Sequence, residues 1–93
     1  MDNFPPGFQS IFQSACKQLD ARGMECPQPV LECRQSLREM ADREILHITA
    51  DDPNTHMDFE VYCMRSGNEL LATHAGTDGC FHYLIRKQDR SSA

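Results

Sequence analysis

The segment Gly23-Met24-Glu25-Cys26-Pro27-Gln28-Pro29 sets the terms for the rest of the chain. It separates an alternating stretch, Lys17 to Arg22, from a run in which apolar residues recur every three or four positions, Val30 to Met40. That order predicts a strand, a tight turn and a helix, with Cys26 where the helix begins. Pro27 suits the first helical position, because its φ is already helical and the N–H it lacks would have no partner there. Pro29 still falls in the first turn, where a missing N–H is tolerable, and Gly23 supplies backbone freedom before the turn. A thiol at the positive end of a helix dipole is expected to favour its thiolate, the nucleophilic form. The same local chemistry also fits a plain helix start with a small buried cysteine.

Which reading holds depends on the rest of the chain. Its 93 residues make one domain, with a net charge of −5 that argues against nucleic acid as a direct ligand. A protein partner with a basic face fits that charge better. No apolar run approaches a membrane span. Met1 to Ser14 lacks a basic start and is interrupted by Pro5-Pro6-Gly7, which argues against a secretory leader. The cysteines, Cys16, Cys26, Cys33, Cys63 and Cys80, are odd in number and irregular in spacing. That suits reduced thiols in the cytoplasm better than a disulfide framework, and no Cys-x-x-Cys supports a redox pair or a zinc site. Neither a metal nor a cofactor is expected.

Taken in order, residues 1–16 read as an N-terminal extension with little regular structure beyond a short helical turn at 7–16. Residues 17–88 form the domain and 89–93 a polar tail. The first strand is Lys17–Arg22, and the first helix runs from Pro27 to about Ala41 with Val30, Cys33, Leu37 and Met40 on its inner stripe. The second strand is Glu44–Ala50, in which His47 is expected to be half-exposed. Asp51-Asp52-Pro53-Asn54 then reads as a solvated turn. The second helix is Thr55–Ser66, with Thr55 and Asp58 spaced as a capping box and Gly67 as a left-handed stop. Two strands follow, Asn68–His74 and Cys80–Lys87, joined by a glycine-punctuated hairpin loop. Cys33 and Cys63 fall on apolar helix faces and are expected in the core. The order β-α-β-α-β-β predicts an α/β two-layer sandwich, a four-stranded mixed sheet with two helices on one face. Cys26 then sits at an exposed helix tip, where reactive groups are usually placed.

Leu19-Asp20-x-Arg22-Gly23-x-x-Cys26-Pro27-x-Pro29, Asp51-Asp52-Pro53, Asp58-Phe59 with Cys63, Gly67-x-Glu69-Leu70-Leu71 and Leu84-Ile85-Arg86-Lys87 together resemble the TusA/SirA-like sulfur-carrier family. The resemblance covers about residues 18–87. It implies a cytoplasmic, monomeric sulfurtransferase in which a cysteine desulfurase loads sulfane sulfur onto Cys26 as a persulfide. A DsrE-like relay protein is the implied recipient, and 2-thiolation of a tRNA uridine the best-known destination. Other members of the family serve molybdenum-cofactor synthesis, selenium handling or sulfur oxidation. The cysteine role carries over to Cys26, with Gly23, Pro27 and Pro29 as the supporting motif. The chain departs from the family pattern in Ala41-Asp42-Arg43, where a glycine is usual, in Asn68, where histidine is frequent, and in the N-terminal extension with Cys16.

The implied chemistry is exchange at sulfur: the Cys26 thiolate attacks the outer sulfur of a donor persulfide. No general base stands out in the sequence. Two other classes remain in view: a non-catalytic interaction or regulatory domain of sulfur, selenium or redox metabolism, and a nucleic-acid-binding domain of similar fold. The acidic balance counts against the latter.

Overall fold

Alternation in Ala15–Ala21, Ile45–Ala50, Glu69–Ala75 and Phe81–Arg86 builds four strands, β1 to β4. In the computed structural model, which describes residues 4–88, three helices accompany them: α1 (Pro6–Phe12), α2 (Gln28–Arg38) and α3 (Thr55–Ser66). The tail expected at 89–93 lies outside the described residues. The sheet order is β1-β2-β4-β3. β1 and β2 are parallel, and β4 runs antiparallel to both β2 and β3. The four-stranded mixed sheet of the expected α/β fold is therefore present. β1 begins two residues earlier than its alternation suggested, so Cys16 is a strand residue.

On one face of the sheet, α2 and α3 contribute Cys33, Leu37, Met40, Phe59 and Cys63 to a core shared with Ala21, Leu46, Ile48, Ala50, Tyr83 and Ile85. Phe59 and Tyr83 meet with ring centroids 4.8 Å apart. Large fully buried side chains such as Phe59, Leu46, Ile48 and Ile85 contribute roughly 1.5–3 kcal/mol each by leaving water. Cys33 and Cys63 lie in this core, as their positions on the helical stripe required.

Side chains one position out of phase point to the opposite face. There α1 lies, and its Phe8 is buried. The N-terminal region is thus more ordered than its composition suggested. Its aromatic residues, spaced for one helix face, have a surface to cover. His47, expected to be half-exposed, is buried, because Phe12 packs its ring 4.9 Å from the imidazole and His82 lies alongside.

Local signals fixed most element ends. α3 stops at Gly67, whose φ of 84° allows its N–H to reach Cys63 O at 3.0 Å. α2 ends at Arg38, short of Ala41, because the N–H groups of Glu39 and Met40 bond three residues back and tighten the last turn. The capping box at Thr55 does not form: Asn54 occupies the cap position without a side-chain bond, and Thr55 is the first helical residue. The Thr55 hydroxyl instead donates to Asp52 O at 2.7 Å and shares a 2.7 Å hydrogen bond with the Tyr83 hydroxyl. No helix among the described residues is long and apolar enough to cross a membrane.

Candidate functional site

The turn after β1 is shaped from outside. Gly23 adopts a φ of 82°, a left-handed conformation that a side chain would strain. Its N–H donates to both carboxylate oxygens of Asp51, each at 3.0 Å. The N–H of Cys26 donates to Asp52 Oδ2 at 3.4 Å, while Asp52 Oδ1 accepts from the N–H of Asn54 at 3.0 Å. The acidic pair, expected to be a solvated turn, is therefore what positions the Cys26 loop.

α2 starts later than the prolines suggested. Pro27 takes the cap position, with φ −98° and ψ 13°, and Gln28 is the first helical residue. The reason lies in the carbonyl of Pro27, which accepts the N–H groups of both Val30 and Leu31 at 3.1 Å and so opens the helix. The Gln28 N–H is bonded back to Glu25 O at 2.8 Å. The Cys26–Pro27 peptide is cis. Pro29 is the second helical residue, and its side chain is fully buried.

Cys26 is exposed. It opens onto a groove of about 680 Å³ between α2 and α3. Pro27 and Asp58 line the groove near the N-terminal ends of the helices, and Arg38, Arg65 and Ser66 near their C-terminal ends. Arg34 and Lys87 add to its positive lining in a chain of net charge −5. Met57 and Val61 form part of the wall and remain exposed.

The electrostatics at the thiol reverse the expectation drawn from the helix dipole. A hydrogen bond to the Asp58 carboxylate is the chief influence holding the Cys26 thiol above its ordinary value. Desolvation and then the charges of Asp58 and Asp52 act in the same direction. Three features explain why the dipole loses. Proline at positions 27 and 29 removes two donors, the N–H groups of Gln28, Val30 and Leu31 are spent on backbone carbonyls, and two carboxylates flank the loop. The helix end therefore lacks the free N–H groups that make such ends attractive to anions. Cys26 rests as a thiol.

Asp58 is the residue the sequence did not reveal. Its spacing from Thr55 made a cap the local reading, and nothing within α3 shows that its carboxyl meets a thiol brought in by α2. Its Oδ2 is buried without a hydrogen bond of its own, so the carboxyl faces the groove with little else to hold it.

The other cysteines are differently placed. Burial pushes the Cys33 thiol far above its ordinary value and that of Cys63 up to about 11. Cys16 is exposed on β1. Cys80, half-buried, precedes β4, and desolvation raises its thiol. No group of three or more His, Cys, Asp or Glu side chains among the described residues is arranged to hold a metal ion.

Comparison with known proteins places this geometry. A family model described as Sulfurtransferase TusA matches residues 17–87. The chain is 38% identical over 71 residues to the Sulfur carrier protein TusA of Allochromatium vinosum, covering 76% of this chain and 92% of that protein. The fold is similar to the crystal structure of a SirA-like protein from Desulfitobacterium hafniense, with a TM-score of 0.70 and 18% identity over 78% of this chain and 99% of that one. β1 to β4, α2, α3 and the whole Cys26 groove fall inside the matched region, and the chain belongs to the TusA sulfurtransferase family.

Proposed function

We propose that Cys26 is the sulfur-carrying residue, loaded as a persulfide by a cysteine desulfurase and unloaded to an acceptor protein of DsrE-like type. The observation that carries this reading is the setting of Cys26: an exposed thiol, on the Cys-Pro-x-Pro turn, at the mouth of a groove open to a partner. Gly23, Pro27 and Pro29 hold that setting. Delivery toward 2-thiouridine in tRNA, in the cytoplasm and by a monomer, is the destination most consistent with the family. The negative net charge supports contact with protein partners and not with the RNA itself.

In the loading step the Cys26 thiol gives its proton to the Asp58 carboxylate, and Sγ attacks the outer sulfur of the donor's persulfide. A bond forms between Sγ and that sulfur as the donor's S–S bond breaks. The donor cysteine departs as a thiolate and is protonated. In unloading, an acceptor thiolate attacks the outer sulfur held on Cys26. The Cys26 sulfur leaves, and protonated Asp58 returns the proton. A thiol that rests protonated is a poor leaving group unless a proton is supplied, which gives Asp58 a part in both directions.

The test is mass spectrometry of the intact protein after incubation with a cysteine desulfurase and cysteine. Addition of one sulfur, lost on reduction and absent from Cys26→Ser, is expected. An unmodified wild-type protein, or sulfur retained by the variant, overturns the assignment.

A further inference from the structure

The helix-lined groove belongs to the site already described, but the other face of the sheet carries a separate arrangement. We propose that α1, together with Phe4, is a latch over that face, and that it is released when His47 and His82 are both protonated.

Three imidazoles lie in a row across the sheet, His47 on β2, His82 on β4 and His74 on β3. His47 Nε2 and His82 Nδ1 are 3.1 Å apart, their rings stacked at 5.3 Å with an interplanar angle of 10°. His82 Nδ1 also lies 3.4 Å from the Thr49 hydroxyl. His47 and His82 are buried, at 6% and 3% exposure. Their cover is aromatic: Phe4 lies 4.9 Å from His82, Phe12 lies 4.9 Å from His47, and Phe8 lies 6.0 Å from His74.

α1 has seven residues, Pro-Gly-Phe-Gln-Ser-Ile-Phe, too few to hold helix without a surface to dock on. Its order therefore depends on these ring contacts. The hydrogen bond between the two imidazoles needs a donor on one ring and a lone pair on the other. One proton can be shared by the pair. A second removes the lone pair and sets two like charges side by side beneath a lid that keeps water out. Attraction between a Phe ring and an imidazolium opposes release, but it cannot restore the lost acceptor. Opening the lid admits water to both rings.

The surrounding charges do not cancel a second proton. α1 has no ionisable side chain. On β1, Gln18 lies opposite His47, and Asp20, opposite Thr49, is held by Arg22 at 2.9 Å. Glu69 on β3 is paired with Arg86 on β4 at 2.7 Å. Asp78, in the loop before β4, attracts His82, but its carboxylate is engaged first by the Cys80 N–H at 3.1 Å. His74 supplies a third imidazole and not an acid. Release takes up two protons from solvent and breaks no covalent bond.

The test uses the full chain, followed by NMR between about pH 8 and about pH 5, the range in which imidazoles charge. The ring signals of His47 and His82 report protonation, and the amides of residues 6–12 report docking. Expected is loss of hydrogen-exchange protection in α1 that tracks the second ring protonation, with β2, β4 and α3 still protected. Rings that charge while α1 stays protected overturn the latch, as does an α1 that loses protection before the rings charge. In a second arm, the His47→Gln/His82→Gln protein, whose amides can hydrogen-bond but not charge, is compared at the two pH values. No pH-dependent loss in α1 supports the proposal, and loss at the same pH as in wild type refutes it.

Discussion

The backbone N–H of Cys26 donates to Asp52 Oδ2 across 3.4 Å, so the loop leaving β2 fixes the loop leaving β1. Asp52 is itself held from below, because its backbone carbonyl accepts the buried Thr55 hydroxyl, which also bonds the hydroxyl of Tyr83. The position of the thiol is thus tied through two short side chains to the centre of the sheet.

Thr55→Val keeps the shape of that side chain and deletes its oxygen. It leaves the Tyr83 hydroxyl buried without this partner, a loss of about 1–3 kcal/mol. Denaturant unfolding is expected to show that cost. Sulfur loading of Cys26 is expected to slow at concentrations where the variant remains folded, because the Asp52 loop has lost its anchor.

Asp58→Asn removes the charge that disfavours a thiolate at Cys26. With the carboxylate present the thiol is held above its ordinary 9.0, and without it the midpoint of the pH–rate curve for alkylation of Cys26 is expected to move to lower pH. At neutral pH the variant is therefore expected to alkylate faster than wild type. It is nevertheless expected to transfer sulfur more slowly, since the proton acceptor is gone. Asp58→Glu is expected to restore part of the transfer. An alkylation curve unchanged in Asp58→Asn would remove Asp58 from the mechanism.

Cys33→Ala is expected to cost on the order of 1 kcal/mol, as for loss of a small buried group, and to leave sulfur loading intact. In the wild-type protein both Cys33 and Cys63 are expected to resist alkylation until the chain unfolds, as followed by peptide mapping with time.

The buried thiols also predict an alkaline limit. Cys63 titrates near 11 when folded against an ordinary 9.0, and Cys33 is raised further. A group raised on folding contributes stability that is complete below the unfolded value and lost as pH climbs toward the folded one. In denaturant titrations, stability is expected to fall between pH 9.0 and about 11. The slope is expected to be shallower in Cys33→Ala/Cys63→Ala.

The sequence made some of this legible and hid the rest for physical reasons. Periodicity and the signals of Gly23 and Gly67 report on neighbours along the chain. They placed the strands, α3 and the buried faces of Cys33 and Cys63 well. The start of α2 was displaced because a proline can either cap a helix or open it, and only the hydrogen bonds to the Pro27 carbonyl distinguish the two. Asp51, Asp52 and Asp58 act on residues far away in sequence, so local rules read them as turn and cap. His47 was misread because alternation gives the face a residue occupies but not whether another element covers that face.

β1 lies at the edge of the sheet, with one side of its backbone facing no other strand. Its middle residues, Cys16, Lys17 and Gln18, are exposed, as is Asp20, and two of them carry charge. A charged edge is a poor template for strand addition by another chain. A protein whose work is brief contact with successive partners gains from this: encounters that succeed are those made through the helices, and sticky, amyloid-like association along the edge is discouraged. Replacing Lys17 and Asp20 by Val and Thr would be expected to convert that guarded border into a site of self-association.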